Sequence, residues 1–483
     1  MERALEIAAL VWPYVSSAVT LAISALASVH AILRKRDVRA AIGWVALIWA
    51  VPLIGAALYG ALGINRIRRR AVELHPTRLH AAAPAPRHSV VDDTRLPDAL
   101  ADLAPLARLV ERVTGAPLVR GNSVEPLDGG EAAYGAMVAA IERAERSVGM
   151  CTYIFDVDAA GLRFADALEA AAKRGVEVRV LIDGVGANYS RPTMVRVLRR
   201  RGVRTAVFLG SILPWSLPYA NLRNHRKILV VDGERGFTGG MNVRAGCLPG
   251  GDPRHAVEDL HFALRGPVVA QLLDAFAEDW AFTTREHLGG ERWYPALAPE
   301  GEVLARAVPD GPDQDLDKLR WTLLGAVAQA RERIGIVTPY FLPDAALQNA
   351  LAVAALRGVT VDVVLPAVNN LRFVQWAQTA ELWSLLARGC RVWLTPPPFD
   401  HTKLMVVDGR WSSIGSANWD PRSLRLNFEL GVECYDEGLG AALTERLDAR
   451  IAKARRYTRE DLDARPLPVQ VRDGIARLFT PYL

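Results

Sequence analysis

The chain has 483 residues, 51% of them hydrophobic and 23% charged, which excludes a disordered polymer and exceeds what one ordinary core organises. Its net charge is +5, yet residues 1–70 hold nine Lys/Arg against three Asp/Glu, a local +6 that leaves −1 for the remainder. A nucleic-acid enzyme concentrates positive charge along its groove. Here the charge flanks an apolar N-terminus, so lipid is the expected partner and nucleic acid is not.

Residues 7–33 and 40–65 contain no Asp, Glu, Lys or Arg, and about 20 apolar residues cross a bilayer core. The prediction is two transmembrane helices, over about 7–33 and 40–64, joined by the basic turn Arg34-Lys35-Arg36-Asp37-Val38-Arg39. Glu2, Glu6 and the second apolar segment argue against a cleaved signal peptide. Arg3 and the four arginines after Gly63 oppose four positive residues in the turn. That near tie does not set orientation, but it puts the N-terminus and the rest of the chain on one side.

Residues 71–97 are rich in Ala, Pro, His and Arg and read as a linker. A helical pattern over 98–114 and a turn-rich approach through Gly129-Gly130 complete a lead-in that ends at 127. Beyond it the chain repeats itself. ALEAAAKRG-VEVRVLID at 167–183 corresponds to ALAVAALRG-VTVDVVLP at 350–366, offset by 183. Each is an apolar helix closed by glycine and followed by a β-branched strand. CTYIFDVD at 151–158 and VTPYFLPD at 337–344 supply the preceding strands. The fold class expected is α/β, with two similar lobes over 128–285 and 312–437. A connector spans 286–311 and a helical tail 438–483. Cys151, Cys247, Cys390 and Cys434 are scattered without metal-ligand spacing.

The strongest signal is a duplicated motif. His225-Arg226-Lys227-Ile228-Leu229-Val230-Val231-Asp232-Gly233 matches His401-Thr402-Lys403-Leu404-Met405-Val406-Val407-Asp408-Gly409, and Gly239-Gly240-Met241-Asn242 matches Gly415-Ser416-Ala417-Asn418, all displaced by 176. In an extended run, His225 and Lys227 share a face, as do His401 and Lys403. Two such faces brought together present two imidazoles, two ammonium groups and the carboxamides of Asn242 and Asn418. That set suits a phosphodiester: the Lys and Asn N–H groups hold non-bridging oxygens, one His attacks phosphorus, and the other protonates the departing alkoxide. This chemistry needs no metal or cofactor.

Asp232 and Asp408 complete the candidate catalytic set. Each sits an odd number of residues from its His, at a strand end before Gly, which favours a structural or orienting role. Asp259 (in EDLHF) and Glu429 (in NFELG) occupy corresponding later strands and are the candidates to fix the imidazole tautomers.

These paired motifs resemble the phospholipase D superfamily. HRKILVVDGERGFTGGMN, TPYFLPD and GSANWDPRSLRLNFE are similar to bacterial cardiolipin synthases in particular, over most of 128–435. The resemblance implies two phospholipase D-like lobes behind a transmembrane hairpin in the bacterial inner membrane, with the catalytic part cytoplasmic. It also implies phosphatidylglycerol as substrate, transfer of a phosphatidyl group to a second phosphatidylglycerol, and a covalent phosphohistidine. His225 is the preferred nucleophile and His401 the acid/base, with the reverse left open. One departure is Val257-Glu258-Asp259-Leu260-His261, where many members carry Trp two residues before the Asp; this leaves substrate preference open. Hydrolysis by the same residues, another phosphatidyl transfer, a nuclease-type phosphodiesterase and a silent membrane scaffold are the rival readings.

The lobes also differ in length before the motif. Gly202 to His225 spans 23 positions and Gly389 to His401 spans 12. The surplus holds Ile212, Leu213, Pro214, Trp215, Leu217 and Tyr219, either an apolar loop at the site mouth or one packed on its own lobe.

Overall fold

The computed structural model describes residues 2–35, 38–63, 96–210, 222–250, 255–312 and 315–480. Most of the expected linker, the arginines after Gly63 and the apolar loop around Trp215 lie outside the described residues.

The chain divides into two units, Met1–Glu73 and Leu74–Leu483. In the first, Glu2–Arg34 is one helix, and within it Val11–Arg34 is long and apolar enough to cross a membrane. The second apolar segment differs from expectation. It breaks at Val51 before Pro52 into Val38–Ala50 and Pro52–Leu58, then a wide turn over Tyr59–Gly63. Proline lacks the N–H that would continue the ladder, so the helix interrupts there. Among the described residues, one helix rather than two has spanning length. The broken segment packs back on the first: His30 Nδ1 lies 2.8 Å from the Tyr59 hydroxyl, beside buried Ala31 and Ile48.

The larger unit is built on a sixteen-stranded sheet with internal symmetry. At its centre Val303–Asp310 lies beside Val119–Asp128, with Val119 opposite Ala305. Outward on one side run Leu260–Arg265, Arg235–Gly239, Ile228–Val231, Ser147–Thr152, Glu177–Asp183 and Thr205–Phe208. The other side repeats the order with Asn427–Tyr435, Trp411–Gly415, Leu404–Val407, Arg333–Val337, Thr360–Pro366 and Arg391–Thr395. Both lobes therefore start earlier than their sequence boundaries suggest, at the strands beginning with Val119 and Val303. The second also ends later, because helix Glu437–Lys453 packs under it as Val268–Thr284 packs under the first. The lead-in helix Ala104–Thr114 belongs to the second lobe, where Leu106 and Val110 join Leu319 and Leu323.

The motif strands show why their apolar residues are needed. Ile228 and Val230 enter a core shared between lobes, together with Leu404 and Val406. Leu229 and Val231 face a core belonging to the first lobe, and Met405 and Val407 one belonging to the second. Alternation along a doubly covered strand puts apolar groups on both faces.

Candidate active site

Each motif begins by crossing to the opposite lobe. Arg223-Asn224 pairs with Asn427-Phe428 of the second lobe, and Phe399-Asp400 pairs with Val257-Glu258 of the first. The crossing extends to the histidines: His225 N–H donates to Phe428 O at 2.9 Å, and His401 N–H to Glu258 O at 2.7 Å. Each His-to-Lys stretch then bridges to its own lobe's strand.

The same exchange sets the rings. His225 Nδ1 lies 2.9 and 3.0 Å from the Glu429 carboxylate oxygens, and His401 Nδ1 lies 2.9 Å from Asp259 Oδ2. Each imidazole is thus oriented by a carboxylate from the other lobe. Positive charge on His225 lowers the proton affinity of His401, so the rings share one electrostatic environment. Lys227 Nζ donates to His225 O at 2.6 Å, and Lys403 Nζ donates to His401 O. Tyr153 stands edge-on to the His225 ring at 5.2 Å and lies under the Lys227 ammonium.

Burial governs the proton affinities. It lowers Lys227 to about 7 and Lys403 to about 8, against the pull of Glu429 and Asp259. It also lowers His225 to about 4, partly opposed by Glu429. His401 falls well below the ordinary histidine value through burial and the charges of Lys403, Lys227 and His225. An anion entering among these groups would replace lost solvation, a strong reason to bind phosphate.

The two carboxylates are not equivalent. His261 faces Gly239, and Gly431 faces Gly415, in the paired strands. That register makes Asp259 the counterpart of Glu429, Val257 of Asn427 and Gly240 of Ser416. Ser416 Oγ donates to Glu429 Oε2 at 2.5 Å and Asn427 Nδ2 to Oε1 at 3.1 Å. Val257 and Gly240 have no side-chain donor to offer Asp259. A side chain at 240 would also collide, since a Cβ there would lie 2.5 Å from Asp259 Oδ1. Burial works to raise Glu429, but His225, Lys227 and Ser416 hold it below the usual range. Burial raises Asp259 to about 7. The signal for this asymmetry was in the sequence as Gly-Gly against Gly-Ser and Val-Glu-Asp against Asn-Phe-Glu, but alignment alone does not show what those side chains touch.

Asp232 and Asp408 lie at the far ends of their strands from the His–Lys pairs. Asp232 accepts from the N–H groups of Glu145, Arg146 and Ser147, and Asp408 from those of Arg331, Glu332 and Arg333. Both have positive φ, 55° and 52°, at a turn closed by glycine. Their carboxylates are engaged with backbone, outside the His–Lys cluster. Asn242 Oδ1 accepts from Ile154 N–H, and Asn418 Nδ2 donates to Ser423 Oγ at 3.3 Å while its Oδ1 is unpaired.

Beneath each motif lies an Arg–Asp pair of reversed polarity. Arg226 pairs with Asp279 at 2.9 Å in the first lobe, and Asp400 with Arg450 at 2.9 Å in the second. His261, on the strand just past Asp259, is buried with neither ring nitrogen paired.

Residues 137–280 and 323–452 match the family described as "Cardiolipin synthase, PLD-like domain". The chain is 34% identical over 465 residues to cardiolipin synthase A of Pseudomonas aeruginosa, covering 95% of this chain and 94% of the relative. It is 30% identical over 457 residues to the major cardiolipin synthase of Bacillus subtilis, covering 93% and 95%. A crystal structure of phosphatidylserine synthase from Haemophilus influenzae superposes over 78% of this chain and 100% of that one, with a TM-score of 0.61 at 15% identity, which shows a shared fold. A family match over both lobes and near full-length relatives at this identity make the chain a member of the cardiolipin synthase family, an enzyme of phosphatidyl transfer built on the phospholipase D fold.

Proposed function

We propose that the protein makes cardiolipin and glycerol from two phosphatidylglycerol molecules, with His225 as nucleophile and His401 as acid and base. The observation that carries this division is the inequality of Glu429 and Asp259. Glu429, ionised and held by Ser416 and Asn427, accepts the Nδ1–H of His225 and leaves Nε2 with a free lone pair. Asp259, raised to about 7, holds its proton below that pH and donates it to Nδ1 of His401, so that Nε2 of that ring carries hydrogen.

In the first half-reaction, Nε2 of His225 attacks phosphorus and the bond to the glycerol oxygen breaks. That oxygen takes the Nε2 proton of His401 as the Asp259 proton moves to Nδ1. In the second, a phosphatidylglycerol hydroxyl gives its proton to Nε2 of His401 and the Nδ1 proton returns to Asp259. Its oxygen attacks phosphorus, and the P–N bond electrons return to His225. Lys227 and Lys403 balance the phosphoryl oxygens, and the Asn242 and Asn418 amides are further candidates to hold them. Asp232 and Asp408 serve as turn anchors that fix the strand behind each His–Lys pair.

The Val11–Arg34 helix anchors the chain in the bacterial inner membrane, with the catalytic unit on the cytoplasmic side. Wild type, His225→Ala and His401→Ala expressed in cells lacking cardiolipin test the reading. Cardiolipin from wild type alone supports it; phosphatidic acid in its place would favour the hydrolase.

A further inference from the structure

Helix Leu467–Leu478, near the C-terminus, is amphipathic the wrong way round for a soluble protein. It turns Ala476 and Asp473 inward and leaves Leu467, Val471, Ile475 and Leu478 exposed at 72%, 51%, 52% and 72%. At 3.6 residues per turn those four lie within about 80° of one another. The buried Asp473 carboxylate is spent on Arg465 and Arg472, so it does not oppose an anion at the exposed face.

The stripe continues onto a neighbouring helix. Phe479 meets Phe373 with ring centroids 5.7 Å apart, and Leu371 and Phe373 are exposed beside it. Arginines border the apolar area: Arg472, whose guanidinium lies 4.4 Å over the Trp376 ring, with Arg372 and Arg477 exposed. The ridge also reaches the rim of the catalytic site. His401 lies 5.9 Å from the Phe399 ring, Phe399 lies 6.3 Å from Tyr340, and the Tyr340 hydroxyl donates to Asn370 at 2.8 Å, one residue before Leu371.

We infer that this ridge is a bilayer-docking surface, which inserts its apolar stripe among anionic phospholipids and opens the active site onto the headgroup layer. Apolar side chains bordered by arginines form the pattern of an interfacial helix: the stripe enters the acyl boundary while guanidinium groups stay with phosphates. The inference rests on the phospholipid reading of the site. A soluble diester would require no such ridge, whereas a two-chain lipid must be partly lifted from its bilayer to reach a buried histidine.

The test uses the full chain in proteoliposomes of phosphatidylglycerol and phosphatidylcholine. All four native cysteines are buried, so a fluorophore can be placed at Ile475→Cys and, as a control, at Lys173→Cys, whose side chain is 71% exposed. Nitroxide-bearing lipid should quench the probe at 475 and spare that at 173; no quenching at 475 overturns the inference. So does a probe at 475 shielded equally in detergent, where a second copy covers the face. In parallel, the Val471→Glu/Ile475→Glu variant should lose at least about tenfold of its activity on vesicles, because two apolar groups no longer insert. Its rate on monomeric dihexanoyl phosphatidylglycerol should match wild type. Unchanged rates on both substrates, or equal loss on both, contradict the surface. A wild type that converts neither lipid counts against phosphatidyl transfer itself, while the quenching result still judges the surface.

Discussion

His225 and Glu429 are 204 positions apart in the chain, yet Nδ1 of the one meets the carboxylate of the other at 2.9 Å. The nucleophile proposed for the first lobe is therefore oriented by the second, and neither lobe holds both members of either His–carboxylate pair. Glu429→Gln removes the negative charge that stabilises the ring as it becomes phosphorylated. Turnover should fall by about 10³–10⁴. Asp259→Asn still donates an N–H to His401 Nδ1 and keeps the tautomer but cannot pass a proton, so the loss should be about 10–10². Initial rates of cardiolipin formation by the two variants compare them directly; an equal loss would contradict the division of roles.

Ser416 and Asn427 should act through Glu429. The Ser416→Ala/Asn427→Val variant gives Glu429 surroundings like those of Asp259 and should raise its proton affinity. With two hydrogen bonds to its charged form removed, Glu429 should replace His225 as the group that sets the acid limb of kcat/KM, and that limb should move to higher pH. A lower rate with an unmoved limb would mean the pair only supports packing.

The pH profile of wild type follows from the same groups. His225 attacks only when neutral, so activity is lost as pH falls through about 4. Asp259 must be protonated to pass its proton, and it ionises as pH rises through about 7. Lys227 and Lys403 lose charge at about 7 and about 8, which weakens phosphate binding in the same direction. A bell in kcat/KM with a broad top between about 4 and about 7 is expected. An optimum well above these values would contradict the assignment of Asp259.

The candidate site was legible in the sequence because its His, Lys and Asn residues recur at one displacement, 176, and the shared face of His225 and Lys227 needs only strand geometry; Asp259 and Glu429, 170 apart, do not keep that register. The exchange between lobes was not. Periodicity tells which face a residue occupies, but Asn224 and Asp400 pair with the other lobe through backbone hydrogen bonds that carry no side-chain pattern. The strands Val119–Asp128 and Val303–Asp310 escaped for a related reason: Val119–Asp128 has few apolar residues and carries Gly121 and Pro126, Pro309 sits near the end of Val303–Asp310, and their pairing at the seam is long-range. Pro52, by contrast, stood inside the second apolar segment, and length and hydrophobicity outweighed it although its missing N–H breaks the helix there.

Asp232 and Asp279 separate support from chemistry. Asp232→Asn keeps a residue that tolerates positive φ but loses part of a three-fold acceptor, at a cost of about 1–3 kcal/mol. The folded enzyme should retain turnover within about tenfold of wild type. Asp279→Ala leaves the Arg226 guanidinium buried without its carboxylate, which should cost about 3–5 kcal/mol. Urea denaturation measures both, and activity assayed below the unfolding transition shows whether either aspartate takes part in transfer.

The most direct measurement traps the covalent intermediate. A phosphatidyl ester with a nitrophenol leaving group needs no acid to depart, so His401→Asn protein should still load and then stall. Rapid quenching at alkaline pH, proteolysis and mass spectrometry should find the phosphatidyl mass on the peptide containing His225. Loading of His401 in the His225→Asn variant, with none on His225 in the reciprocal variant, would reverse the assignment and contradict the account.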